Sequence, residues 1–172
     1  MKAFLVGLVI GVILLPAVAY VCIKYGYVPV ATAAPPLPFE RKLASMALHA
    51  RMAKEAPAQS PVPATETNLL AGAKLYREHC AVCHGSTSET KTAIAKGMFP
   101  APPLLLHGKG VTDDPAGETY WKVANGIRLT GMPGFRGSLS DEQMWEISQL
   151  LATADKLPPS VTAVLQQAPA SN

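Results

Sequence analysis

Cys80, Ala81, Val82, Cys83 and His84 stand in the order Cys-x-x-Cys-His, and this pentapeptide constrains the chain more than any other feature. The spacing is that of covalent haem attachment. Two thiols so placed can each add to a vinyl group on one porphyrin edge. The histidine directly after the second thiol then lies beside the iron and can bind it axially. A zinc site would need two further ligands at finger-like spacing, but no second Cys-x-x-Cys and no His-x-x-x-His follows. A thioredoxin-like dithiol would sit between a strand and a helix, whereas a helical pattern precedes Cys80. One covalent haem c is therefore expected, bound by Cys80 and Cys83 with His84 as a metal ligand.

The chain has three cysteines. With two given to haem, no disulfide framework remains. Covalent haem attachment implies export, so the segment around Cys80 is expected beyond the membrane. From Ala3 to Ile23 the residues are almost all apolar and uncharged. At about 1.5 Å per residue, such a helix can cross a hydrocarbon core of about 30 Å. Ala17-Val18-Ala19 and Ala31-Thr32-Ala33 are candidate signal cleavage sites, but the apolar run continues through Tyr20, Val21 and Ile23. That length favours an uncleaved anchor over an ordinary signal core. The expected location is the inner membrane, single-pass, with the haem domain on the periplasmic side. Cys22 follows Val21, too branched for a lipoprotein site, and reads as an inert buried thiol. Gly7 and Gly11 form a weak Gly-x-x-x-Gly pair.

Four stretches follow from the punctuation of the sequence. Residues 1–24 are the anchor and 25–65 a Pro-rich spacer, broken at Pro29, Pro35, Pro36, Pro38, Pro57, Pro61 and Pro63. Within the spacer, residues 39–56 lack Gly and Pro and predict an amphipathic helix. Its apolar face would carry Phe39, Leu43, Met46, Ala47, Ala50 and Ala53. That stripe could lie on the chain's own haem domain, on lipid headgroups, or on a partner subunit. Residues 66–157 form the haem domain, and 158–172 a flexible tail after Pro158 and Pro159. A first helix holds Leu69, Gly72, Ala73 and Tyr76. A later one starts at Asp114 as N-cap with Pro115 in its first turn, and ends at Asn125-Gly126. The last begins with a capping box from Ser140 to Gln143 and carries Met144, Trp145, Ile147, Leu150 and Leu151.

Taken together, these residues resemble the class I c-type cytochromes over about Thr67 to Leu157. The resemblance rests on Gly72 and Tyr76, the Cys80 to His84 motif, the proline loop with Pro102 and Leu104, the run Gly131-Met132-Pro133, and Trp145 in the last helix. It implies an all-α fold: a small class I cytochrome c domain around one haem, here preceded by a transmembrane helix and an amphipathic linker helix. It implies that Gly72 and Tyr76 pack on the last helix near Trp145, and that a backbone carbonyl of the proline loop, with Pro102 the nearest match, orients His84. It implies Met132 as the second axial ligand.

The residues themselves bear on that ligand. Of six methionines, Met1 begins the chain, Met46 and Met52 fall in the spacer helix, and Met144 faces the packing side of the last helix. Met98, fourteen residues after His84, leads into the proline loop, a poor route to the opposite haem face. Met132 sits between Gly131 and Pro133, where little helix or strand can form. A methionine packing on haem without coordination is the alternative. His49 and His107 are other conceivable ligands, and His79 is badly aimed.

A haem with both axial positions filled exchanges electrons and has no open site for substrate. No triad, phosphate loop or paired carboxylates lie near the motif. The expected function is one-electron transfer by a membrane-tethered carrier in an extracytoplasmic respiratory chain, not an enzyme in itself. The alternative is a haem-bearing subunit of a larger dehydrogenase or oxidase complex. A gas sensor would need an attached signalling domain. Partners would be membrane redox complexes or small redox proteins. From Glu66 onward, nine Lys and Arg stand against ten Asp and Glu, whereas residues 1–65 hold six against two. The basic character thus belongs to anchor and spacer. Strong electrostatic steering is not expected, and nucleic acid is excluded as a partner.

Overall fold

A computed structural model of the chain describes residues 1–87, 91–107 and 112–167. The last five residues of the expected tail lie outside the described residues. Among the described residues the secondary structure is helical, with no strand. The chain divides into two units, Met1–Arg41 and Lys42–Asn172.

The first unit is dominated by α1, Lys2–Lys24, a 23-residue helix with Pro16 inside it and no buried side chain. It is long and apolar enough to span a bilayer.

In the second unit, α3 (Glu66–His79) and α7 (Asp141–Ala152) cross closely. The crossing point is Gly72, where a Cβ would lie 2.7 Å from the Glu146 carbonyl carbon. Only glycine lets the two backbones approach so nearly. Ala73, Tyr76, Ile147 and Leu150 fill the space around it and have almost no exposure. The packing against α7 expected of Gly72 is therefore present. Gly72→Ala sets two effects against each other. Alanine gains about 1 kcal/mol of helix propensity. Overpacking costs about 1–3 kcal/mol, and here the obstacle is backbone, which cannot rotate away. A net loss of up to about 2 kcal/mol is expected, read as a thermal midpoint lowered by several degrees.

Local signals set the helix ends. The Thr65 hydroxyl accepts from Asn68 N at the start of α3. At α7 the Ser140–Gln143 capping box forms in both directions. Helix α6 (Ala116–Asn125) begins one residue later than expected: Pro115 is its N-cap, and the Asp114 carboxylate pairs with Lys122 Nζ at 2.6 Å instead of capping. Tyr120 on α6 stacks on Trp145 of α7, ring centroids 4.2 Å apart and planes 13° from parallel. Two four-residue turns, α4 (Ala81–His84) and α5 (Ala93–Lys96), complete the loop region after α3.

Two segments differ from the sequence expectation. Residues 159–166 are not a loose tail. They form α8, with Pro159 in its first turn and Val161 and Leu165 buried against α3. Pro158 and Pro159 do end the preceding element, but they also open a new helix, because proline fits the first helical position. The Arg77 guanidinium bonds to Gln167 Oε1, and the Ser86 hydroxyl to the Leu165 carbonyl. The spacer helix forms as α2, Glu40–Glu55. However, Leu43 and Met46 of its expected apolar face stay exposed, while Met52 is buried.

Candidate functional site

The Cys80–His84 pentapeptide is a single helical turn fixed from two sides. Tyr76 on α3 donates its hydroxyl to the Gly85 carbonyl at 2.8 Å, which pins the residue after His84. Burial and the nearby Cys80 push the Tyr76 phenol far above its usual range, so it remains a donor. Gly85 has φ of 74°, a left-handed conformation that ends the turn. Thr92 donates its hydroxyl to the Val82 carbonyl at 2.6 Å, holding the turn from the far side.

His84 Nδ1 donates to the Pro103 carbonyl at 2.8 Å. This fixes the tautomer and leaves Nε2 without a proton, the state in which an imidazole binds a metal. Burial lowers the pKa of His84, and the Pro103 bond only partly opposes it. Burial thus favours the neutral ring. The carbonyl belongs to Pro103, one residue beyond Pro102. Pro102 is itself buried and lines the cavity beside it.

Cys80 and Cys83 are half-buried and unpaired. Burial, and secondarily the neighbouring Cys83, push the Cys80 thiol up to about 12. A catalytic redox dithiol needs the opposite shift. No group of three or more His, Cys, Asp or Glu side chains suited to a metal occurs among the described residues. The donor set therefore does not fit zinc. It does fit a haem, because both thiols and His84 face one cavity of about 270 Å³.

The loop bearing Met132 forms another part of that cavity's lining. Its shape comes from contacts with the end of α6. Phe135 N donates to the Val123 carbonyl at 2.9 Å, and Ile127 N to the Met132 carbonyl at 3.2 Å. Gly126, at φ of 67°, packs against the Pro133–Gly134 peptide so closely that a Cβ would collide with it. Thr130 Oγ1 donates to the Ile127 carbonyl and accepts from Met132 N, at 2.7 and 3.1 Å. Thr119, Val123, Ile147 and Leu151 from α6 and α7 line the interior.

Of the other three histidines, two lie outside the cavity lining and one is part of it. His49 and His107 do not line the cavity. His107 Nε2 instead donates to the Ser86 carbonyl at 2.7 Å. His79 does line it, with its ring 5.9 Å from that of Phe135.

Residues 67–151 match the family described as cytochrome c oxidase, cbb3-type, subunit III. Cytochrome c6 of Limnospira maxima is 30% identical over 81 residues, which span 47% of this chain and 86% of that protein. The chain belongs to the class I c-type cytochromes. Its domain is accordingly a haem-based electron-transfer module. A thiosulfate dehydrogenase of Stutzerimonas stutzeri is 30% identical over 97 residues, 56% of this chain but only 30% of that enzyme. That likeness covers a part of the enzyme.

Two cavity residues are not apparent from the sequence of this cytochrome. Met98 lines the same cavity as Met132, contrary to the expectation that it is poorly routed. A Cβ on Gly131 would run into the Met98 thioether, with Sδ 3.5 Å away. The small residue beside Met132 was thus the available signal. Leu48 also lines the cavity, from a helix outside the family match. Its spacing places it off the expected apolar face of Leu43 and Met46.

Proposed function

We propose that this cytochrome is a membrane-tethered one-electron carrier. It would hold one covalent haem c through Cys80 and Cys83, with His84 and Met132 as the ligands to its iron. When bound, the haem supplies an iron that cycles between ferrous and ferric states. The chain's residues bind it, orient it and set its environment. The observation that carries the reading is His84, fixed through Nδ1 to Pro103, in one cavity with both thiols and the Met132 loop. A thioether opposite an imidazole raises the potential relative to two imidazoles.

The apolar α1 supports an uncleaved single-pass anchor, with the haem domain on the extracytoplasmic side, where covalent haem attachment implies it. From Glu66 onward, acidic and basic residues nearly balance, so long-range steering of a redox partner is weak. A tether compensates by raising the local concentration near membrane redox complexes or small redox proteins. The family match to an oxidase subunit favours a second reading, a fixed haem-bearing subunit of a larger oxidase or dehydrogenase complex.

Membranes washed in alkaline carbonate should retain the protein, and its intact mass should include Met1–Lys24 plus one haem. Its reduced-minus-oxidised spectrum should be that of one c-type haem. Release in soluble form with a mature N-terminus at Tyr20 or Ala34 would refute the anchor. A spectrum without haem would refute the carrier. Gentle detergent extraction distinguishes the two readings, since a free carrier leaves alone and a subunit leaves with its complex.

A further inference from the structure

The segment just before the family match packs as part of the haem domain. Leu48 on α2 lines the same cavity as Cys83, His84 and Met132. One turn later Met52 is buried, at 1% exposure. Glu55 Oε2 then accepts the Trp121 indole N–H at 3.1 Å. The Pro57 carbonyl rests on Gly117, where a Cβ would be 3.0 Å from its carbon and closer still to its oxygen. Further on, the Val62 carbonyl accepts from Gln149 Nε2 at 2.7 Å. These ties reach α6 and α7, the helices that also line the cavity through Val123 and Ile147. A free spacer would make none of them. Leu43 and Met46 are as apolar as Leu48 and Met52, yet are 64% and 57% exposed. The helix is therefore seated by fit at one face.

We propose that α2, from Leu48 onward, is a fixed cover of the haem cavity, and that Leu48 is a wall residue holding the reduction potential up by keeping water out. The proposal rests on the haem reading above. An apolar shell controls solvent access and local dielectric, and through them the potential of a metal centre. Admitting water or a carboxylate stabilises the more positive ferric state, so opening this wall lowers the potential.

The full-length protein in detergent, in wild-type form and as Leu48→Glu, Leu43→Glu and Gly117→Ala, tests the cover. Haem content is read by haem stain and pyridine haemochrome, and the midpoint potential by redox titration. Leu48→Glu should keep its haem and titrate at a lower potential. Leu43→Glu, at an exposed position on the same helix, should match wild type. Gly117→Ala forces Pro57 away without substituting any residue that lines the cavity. It should also lower the potential, and it should speed tryptic cleavage at Arg51 and Lys54. Because Gly117→Ala keeps the Leu48 side chain itself, the answer does not depend on how well Leu48→Glu folds. Wild-type potential in Gly117→Ala despite faster cleavage, or an equal shift in Leu43→Glu, overturns the cover. Absence of haem from the wild-type protein would instead overturn the carrier reading, a result the haem stain reports separately.

Discussion

Replacing Cys80 and Cys83 together with alanine is expected to remove covalent haem completely. The double variant should give no haem-staining band on a denaturing gel, and acid-acetone should extract any haem that remains associated. Each single variant keeps one thiol, and should retain a stained band at lower yield. The thiols should also contribute to the stability of the whole domain. Ile147 and Leu151 of α7 and Val123 of α6 line the cavity as well as joining the helical core. A ligand bound only by the folded state stabilises that state by mass action, and a covalent link keeps it at the site. The double variant should therefore melt earlier than either single one. Covalent haem surviving in the double variant would mean that Cys80 and Cys83 do not attach it.

The parts of this site that were legible in the sequence are those written in local spacing. Cys80 to His84 are five consecutive residues, and a thiol–thiol–imidazole order carries its chemistry without tertiary information. The Ser140–Gln143 capping box is likewise local, and Gly72 announces a close approach because glycine inside a helix otherwise only costs stability. What stayed hidden depends on three-dimensional fit. Pro102 and Pro103 are adjacent carbonyls in a non-helical run, and only the path of the loop decides which one meets His84 Nδ1. Leu43, Met46, Leu48 and Met52 offer α2 two apolar faces. Periodicity favours the face with Leu43 and Met46, but the contacts of Glu55 with Trp121 and of Pro57 with Gly117 seat the other one. Asp114 and Pro115 are both reasonable helix starters, and the pairing of Asp114 with Lys122 moves the boundary. Pro159 was a signal open to two uses. As a stop it ends the preceding element, whereas Val161 and Leu165 four residues apart supply the buried face of α8.

The second large effect is expected at Met132. Two thioethers, from Met132 and Met98, share the cavity with His84, so ligation must be assigned by reciprocal substitution. Met132→Leu preserves volume and removes the donor sulfur. It should lower the midpoint potential by on the order of 0.1 V, a fraction of the roughly 0.8 V range set by axial ligands. It should also let the ferrous haem bind carbon monoxide. Met132→His should stay six-coordinate and lower the potential too, because a harder, more basic donor favours ferric iron. Met98→Leu should leave the spectrum and carbon monoxide binding unchanged. The local structure accounts for the asymmetry. The Met132 backbone is held by Thr130 Oγ1 and Ile127 N, in a loop bonded to the end of α6. The Met98 thioether packs against the backbone of Gly131, a packing role that leucine can largely fill. Gly131→Ala tests that division independently. Its added methyl should displace Met98 and perturb the loop, and so shift the potential while both sulfurs remain. If Met98→Leu opens the haem to carbon monoxide and Met132→Leu does not, Met98 is the sixth ligand, and the Met132 loop serves only to close the cavity.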